Sequence, residues 1–224
     1  MSIIELTNYS IESRKTGRPF SPFGFSLAYG DVLSISTDSA EDALTLLKAL
    51  ATLVAPLGGE YRYMQTPLDF SNPEKLLAVK KKIGFVTSHT ALISNRSVRE
   101  NLLLQRAYFT NSLSNKLDAH TQALCDLFNL GDKLEMRPAD LTEHDYRCAV
   151  TVRELVKKPV VLLMEYPEKY VGIANLDAFN DILFDMLGGE LGIVFLSEFK
   201  NFIETFSKRD LVISNGSLSI TPAP

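Results

Sequence analysis

The chain has 224 residues, 46% of them hydrophobic, enough to bury the core of one mixed domain, and no run approaches the length of a membrane span. Its formal net charge is −4, and its lysines gather only at Lys80-Lys81-Lys82 and Lys157-Lys158. Short lysine groups near helix C-termini complement the helix dipole, so the charge pattern gives little footing for nucleic-acid binding. Cys125 and Cys148 sit in apolar-periodic segments and read as reduced core residues, and His89, His120 and His144 have no ligand-like spacing, so no metal site is expected.

Taken in order, residues 3–9 and 23–29 read as strands joined by a turn region at 14–19. The start alternates like an edge strand and lacks a basic segment followed by a long apolar one, so no signal peptide is read and a cytoplasmic protein is expected. Residues 32–36 form a third strand, and 40–54 follow with helical spacing, ended by Pro56 and Gly58-Gly59. A strand at 60–65, a short helix at 73–82 and a buried strand at 83–87 come next. Strand, loop, helix and strand in succession mean a parallel sheet with crossovers. Residues 117–130 and 143–157 are amphipathic helices, 159–164 and 192–198 apolar strands. At 210–214 and 217–221 two strands flank Asn215-Gly216, a hairpin turn pair.

The stretch Gly30-Asp31-Val32-Leu33-Ser34-Ile35-Ser36-Thr37, followed beyond a polar loop by Thr45-Leu46-Leu47-Lys48, resembles the ABC transporter ATPase family, whose members carry "GDVLxIxGxSGxGKSTLLKxL" there. In that phosphate-binding loop glycines let backbone N–H groups approach phosphate, a lysine neutralises it and a hydroxyl holds magnesium. Here those positions are Thr37, Asp42, Ala43 and Leu44. A second resemblance runs without a gap from Ile83 to Asn101 against the family's "IGxVFQxxALxxxxTVxEN", with Ser88 in place of the glutamine that touches magnesium and the attacking water. The following segment in the family lines the groove that receives the membrane subunit, which implies a docking surface at Ala91, Leu92, Ser97, Val98, Arg99 and Glu100. The alternative reading is that these residues simply cap and pack a helix, which suits Val98, Leu102 and Leu103, and the docking surface is the preferred one.

The resemblance continues through the family's "LSGGQ" signature, which stands here as Leu141-Thr142-Glu143-His144-Asp145. In the family this helix start binds the γ-phosphate held by the opposite subunit, whereas Glu143 and Asp145 would put carboxylates there. Thr142 and Asp145 also have the spacing of a capping pair, which makes a self-capped helix start the preferred reading. Where the family places its magnesium-binding aspartate and catalytic glutamate, this chain has Glu165 and Tyr166, and the switch histidine is Glu198. An ordinary tyrosine titrates near 10 and cannot serve as a general base at neutral pH. The adenine-stacking aromatic falls near Glu12 and Ser13 and is missing too.

What the resemblance implies is an α/β, ABC ATPase-like P-loop NTPase fold over residues 1–224. It has a RecA-like parallel-sheet core (1–87 and 159–224), N-terminal antiparallel strands and an inserted helical subdomain (88–158). The substitutions imply a pseudo-ATPase that binds neither ATP nor magnesium. A carboxylate about 4 Å from a phosphate charge costs on the order of 4 kcal/mol at an effective dielectric near 20, about three decades of affinity. Asp38, Glu41 and Asp42 offer up to three such groups. Ser39 and Asp42 have capping spacing, so a hydroxyl or acid of the loop itself is expected on the helix N–H groups. The expected role is a structural or regulatory component of an ABC transporter at the inner face of the cell membrane, reached only through its partner. That partner is a membrane subunit, a competent ATPase subunit or a second copy of this chain. Ala91-Leu92 and Arg137-Pro138-Ala139 are similar to ATPases of lipid-trafficking, MCE-associated systems. The alternatives are a soluble regulatory module that reuses the fold, and an active ATPase with shifted residues.

Overall fold

The structure, a computed structural model, describes residues 1–13, 17, 19–110 and 116–222. The chain runs β1 (Ser2–Ser10), β2 (Phe23–Ala28), β3 (Val32–Thr37), α1 (Ala40–Leu50), β4 (Gly58–Tyr63), β5 (Thr66–Pro67), α2 (Pro73–Lys80) and β6 (Ile83–Val86). Three helices follow, α3 (Val98–Thr110), α4 (Ala119–Leu127) and α5 (Glu143–Val156). The last part comprises β7 (Val161–Glu165), α6 (Pro167–Val171), α7 (Leu176–Leu187), β8 (Gly192–Leu196), α8 (Lys200–Phe206), β9 (Arg209–Ser214) and β10 (Ser217–Pro222).

Six strands form one sheet in the order β10-β9-β3-β8-β7-β6, parallel except for β10, and β2-β1-β4-β5 form a second, antiparallel sheet. The alternation in β2, with Phe23, Phe25 and Leu27 buried and Gly24 and Ser26 exposed, is what a strand with one covered face requires. β7 and β8 are buried along their whole length and read as continuous apolar runs because helices cover both faces of the parallel sheet. Among the described residues, only helices and turns lie between β6 and β7. That inserted segment shares a core with the sheet: Cys148 and Val152 of α5 cluster with Leu162 of β7 and Phe195 of β8.

The expected helix at 40–54 ends early, at Leu50. Thr52 takes the left-handed conformation (φ 58°), the Thr52 N–H bonds the Ala49 carbonyl, and the Leu53 N–H bonds the Lys48 carbonyl. This is a Schellman closure with threonine at the position usually held by glycine. The helix expected at 117–130 is shortened to Ala119–Leu127 in the same way, with Asn129 left-handed and the Leu130 N–H on the Cys125 carbonyl. The helix expected at 73–82 stops at Lys80. The strand expected at 60–65 is drawn back to Gly58–Tyr63 because Met64 and Gln65 turn with positive φ. Most of the turn region at 14–19 lies outside the described residues.

Candidate functional site

Only Asp38 and Ser39 separate β3 from α1, so Asp42, Ala43 and Leu44, the last three substituted positions of the phosphate-loop pattern, already lie within the helix. All three are buried. The helix start is closed by hydroxyls: Ser39 Oγ accepts from the Asp42 N–H at 3.3 Å, and Thr37 Oγ1 accepts from the Ser39 N–H at 3.0 Å. A helix N-terminus leaves unpaired N–H groups and partial positive charge, and an N-cap hydroxyl answers part of that need for roughly 1 kcal/mol. Thr45 lies inside the same helix and donates to the Glu41 carbonyl at 2.8 Å.

At the end of β7 the Glu165 side chain is nearly buried and accepts two bonds from Ser88 through the same oxygen, from the backbone N–H at 2.8 Å and from Oγ at 2.7 Å. The two positions that in the resembling family would both face magnesium are thus bonded to each other. Tyr166 follows in the left-handed region (φ 51°, ψ 59°), a conformation costing an aromatic residue about 1–2 kcal/mol. Its N–H bonds the Leu196 carbonyl at 2.7 Å, and its own carbonyl accepts from the Lys169 N–H at 2.8 Å. Burial pushes the phenol above its ordinary value, further from a role as a base.

Lys169 bridges the remaining positions. Its ammonium stands 3.7 Å from the centre of the Tyr166 ring and 3.1 Å from Glu198 Oε2. Glu168 accepts from Ser197 Oγ at 2.9 Å and from the Glu198 N–H at 3.3 Å. Between β3, the Tyr166 turn and the end of β8 a shallow hollow of about 310 Å³ remains, bordered by Thr37, Asp38, Tyr166, Ser197 and Glu198. Glu168 and Lys169 carry no local sequence signal for this role, because their partners lie 29 residues further along.

The altered signature segment is a capped helix start. Thr142 accepts from the Asp145 N–H at 3.1 Å and donates to Asp145 Oδ2 at 2.7 Å, and Lys133 pairs with Asp145 at 3.2 Å. Glu143 is exposed and pairs with Arg147, and the His144 ring lies 3.6 Å from Cys148 Sγ. Burial raises the Cys148 thiol to about 12, which makes it unreactive. Among the described residues no group of three His, Cys, Asp or Glu is placed to hold a metal.

Of the six residues expected to dock a partner, Leu92 and Val98 are corrected: both side chains are buried and serve the core. Ser97 and Glu100 are spent on α3 as a reciprocal capping box, the Glu100 N–H on Ser97 Oγ and the Ser97 N–H on Glu100 Oε2. Arg99 reaches Glu135 at 2.6 Å, and Ala91 is exposed with its carbonyl taken by Arg153. Glu12 pairs in an isolated bridge with Pro19, and Ser13 is buried.

Three capping carboxylates titrate low. Backbone and side-chain bonds from Ser97 and Arg96 lower Glu100, and those of Thr121 lower Asp118. Burial alone would raise Asp145, but Thr142 and Lys133 outweigh it and hold it below its ordinary value. A depressed folded-state pKa gives stability that is present above the ordinary values of 3.8 and 4.5 and lost as pH falls through the lower folded ones. The melting temperature should therefore be flat from pH 7 to 5 and fall below pH 4, and Glu100→Gln with Asp118→Asn should reduce that fall. A fall of the same size in the double variant would show that these caps do not contribute to it.

This arrangement of sheet, helices and loop is the fold of an ABC transporter ATPase cassette, an α/β P-loop NTPase fold. The dimeric structure of MJ0796, described as a bacterial ABC transporter cassette, superposes with a TM-score of 0.83 over 99% of both chains at 17% identity. A post-hydrolysis dimer of MJ0796 bound to ADP and phosphate does so with 0.83 over 99% of both chains, at 16%. In sequence the chain is 25% identical over 194 residues to the lipoprotein-releasing system ATP-binding protein LolD of Aquifex aeolicus, covering 86% of each. It is 26% identical over 184 residues to an uncharacterized ABC transporter ATP-binding protein, YvcR, of Bacillus subtilis, covering 80% of this chain and 69% of the relative. No protein-family model matches the chain. Its similarity across most of its length thus lies with ATP-binding subunits of ABC transporters.

Proposed function

We propose that this chain is a pseudo-ATPase: a cassette that keeps the fold, binds no Mg-ATP, and serves as a structural or regulatory subunit of an ABC transporter. The observation that carries this reading is the closed loop between β3 and α1. Two residues join strand to helix, the Ser39 and Thr37 hydroxyls occupy the N–H groups of Asp42 and Ser39, and Ala43 is fully buried where the pattern has a lysine. The residues present do not fit a nucleotide phosphate, because the loop brings Asp38 and no cation to it. At the magnesium position one Glu165 oxygen already accepts two bonds from Ser88, which competes with a metal there. Tyr166 in place of a carboxylate base supports the same reading for hydrolysis.

The kinship with ATP-binding subunits supports the transporter half of the proposal. Among the described residues no helix is long and apolar enough to cross a membrane, so the proposed route to one is a membrane subunit at its cytoplasmic face. Titration calorimetry with Mg-ATP should give no specific heat up to millimolar nucleotide, and phosphate release should stay at the blank rate. A micromolar affinity would overturn the proposal.

A further inference from the structure

The six-stranded sheet ends differently on its two sides, at β6 and at β10. On β6 the Phe85 N–H is taken by Glu154 at 3.1 Å and the Phe85 carbonyl by Thr90 Oγ1 at 2.9 Å. β10 is open. Asn215 and Gly216 both have positive φ (50° and 75°), so β9 and β10 are joined by a two-residue hairpin turn of the primed type. In such a hairpin the flanking pair, Ser214 and Ser217, is hydrogen-bonded, and the pairs alternate from there. Ser217, Ser219 and Thr221 therefore turn their backbone groups toward β9, and Leu218 and Ile220 turn theirs outward, where among the described residues nothing bonds them. The outward row is bounded at both ends: the Gly216 carbonyl accepts from the Ser21 N–H at 2.8 Å, and Pro222 has no N–H to offer. Natural edges are guarded by charge, by bulges or by proline. No charged residue occurs from Leu211 to Pro224, the β9–β10 register runs without a shift, and the prolines come only at Pro222 and after it.

We propose that β10 pairs antiparallel with β10 of a second copy of this chain, about a two-fold axis between the two Ser219 residues. Leu218 of one copy then faces Ile220 of the other, and each of these two pairs exchanges both of its N–H···O bonds. The row is its own complement: every outward N–H meets a carbonyl, and neither Pro222 nor the carbonyl held by Ser21 is called on. The side chains agree with this register, since Leu218 packs on the main core cluster and Ile220, on the same face of β10, is 37% exposed until Leu218 of the other copy stands beside it. The lack of charge favours a second copy in particular, because like charges opposed across a two-fold axis would repel. The contact is isologous and the β6 edge is occupied at Phe85, so assembly stops at two copies and does not run on into a fibre. A pairing over five residues spans about 17 Å and buries less than the ~1,200 Å² of stable interfaces, which makes the dimer a weak one.

This inference goes beyond the proposed function and does not depend on the altered loop. Sedimentation equilibrium of the full chain at about 0.5 mM should show monomer and dimer and nothing larger. Crosslinking reads the register. Ser219→Cys should give a disulfide-linked dimer under copper phenanthroline, because opposed residues of a non-hydrogen-bonded pair stand about 4.5 Å apart between Cα atoms. Ser217→Cys alone and Thr221→Cys alone should not, each being about 14 Å from its own twin, yet the two variants mixed should crosslink to each other. Cys125 and Cys148 are buried and stay out of the reaction. Ile220→Pro removes an outward N–H while leaving the bonds to β9 in place, and should weaken association about tenfold or more. A chain that stays monomeric at that concentration, a dimer untouched by Ile220→Pro, species larger than a dimer, or Ser217→Cys linking to itself as readily as Ser219→Cys would each overturn the proposal. If Ile220→Pro unfolds the hairpin, the crosslinks decide by themselves. None of these measurements involves Mg-ATP, so the dimer and the pseudo-ATPase reading stand or fall separately.

Discussion

Putting a glycine and a lysine back at Asp42 and Ala43 should lower the melting temperature by about 10 °C and yield no ATPase. A glycine in the first turn of α1 costs about 0.5–1 kcal/mol in backbone freedom. Ala43 is fully buried among the residues of the main core cluster, with Leu46 and Leu47. A lysine there adds a long side chain where overpacking costs about 1–3 kcal/mol, and an uncompensated buried ammonium costs several more unless it loses its proton. The burial terms outweigh the glycine, and a sum on the order of 4 kcal/mol corresponds to roughly 10 °C for a chain of this size. Differential scanning calorimetry of the double and single variants separates the contributions, with Ala43→Lys carrying most of the loss. An unchanged melting temperature, or nucleotide hydrolysis by the double variant, would show that the loop keeps room for a phosphate cradle.

Phe195→Ala should lose as much or more. Phe195 is fully buried in β8 beside Met164 of β7, and its ring meets Phe202 of α8 edge-on at 5.0 Å. Removing a buried phenylalanine costs about 3–5 kcal/mol, and the loss of an aromatic pair is part of that cost. It also loosens the end of β8, where Ser197 and Glu198 are tied to Glu168 and Lys169. Phe184 is the control: its ring stacks on Phe206 at 4.6 Å but is half exposed, so Phe184→Ala should cost about 1 kcal/mol. Chemical denaturation of the two variants checks the contrast, and equal midpoints would mean that α8 is not anchored through Phe195.

The docking reading shifts once side chains are placed. Leu92 and Val98 have the spacing of a surface segment in a resembling family, yet both are buried, and Ser97 and Glu100 cap α3. Lys80, Lys81 and Lys157, which border one groove between α2, α3 and α5, read individually as ordinary helix ends. Lys80 and Lys81 end α2 and Lys157 ends α5, and 76 positions of sequence conceal that they share one rim.

Whatever depends on neighbours within four or five residues was determined by the sequence alone. The caps of α1 and α5 follow from a hydroxyl three residues before an acid, and the C-terminal hairpin follows from Asn215-Gly216, both of which take positive φ. The parallel sheet follows from apolar runs spaced by helices, and the altered loop from four substituted positions in one motif. Only the tertiary structure decided what faces what across the sheet. The Ser88–Glu165 bonds span 77 positions, the Glu154–Phe85 bond 69, and the Lys169–Glu198 pair 29. The left-handed turn at Tyr166 and the early end of α1 at Thr52 likewise have no glycine to announce them. Such contacts depend on which strand each segment joins and on the face its side chain then presents, and no local pattern encodes either choice.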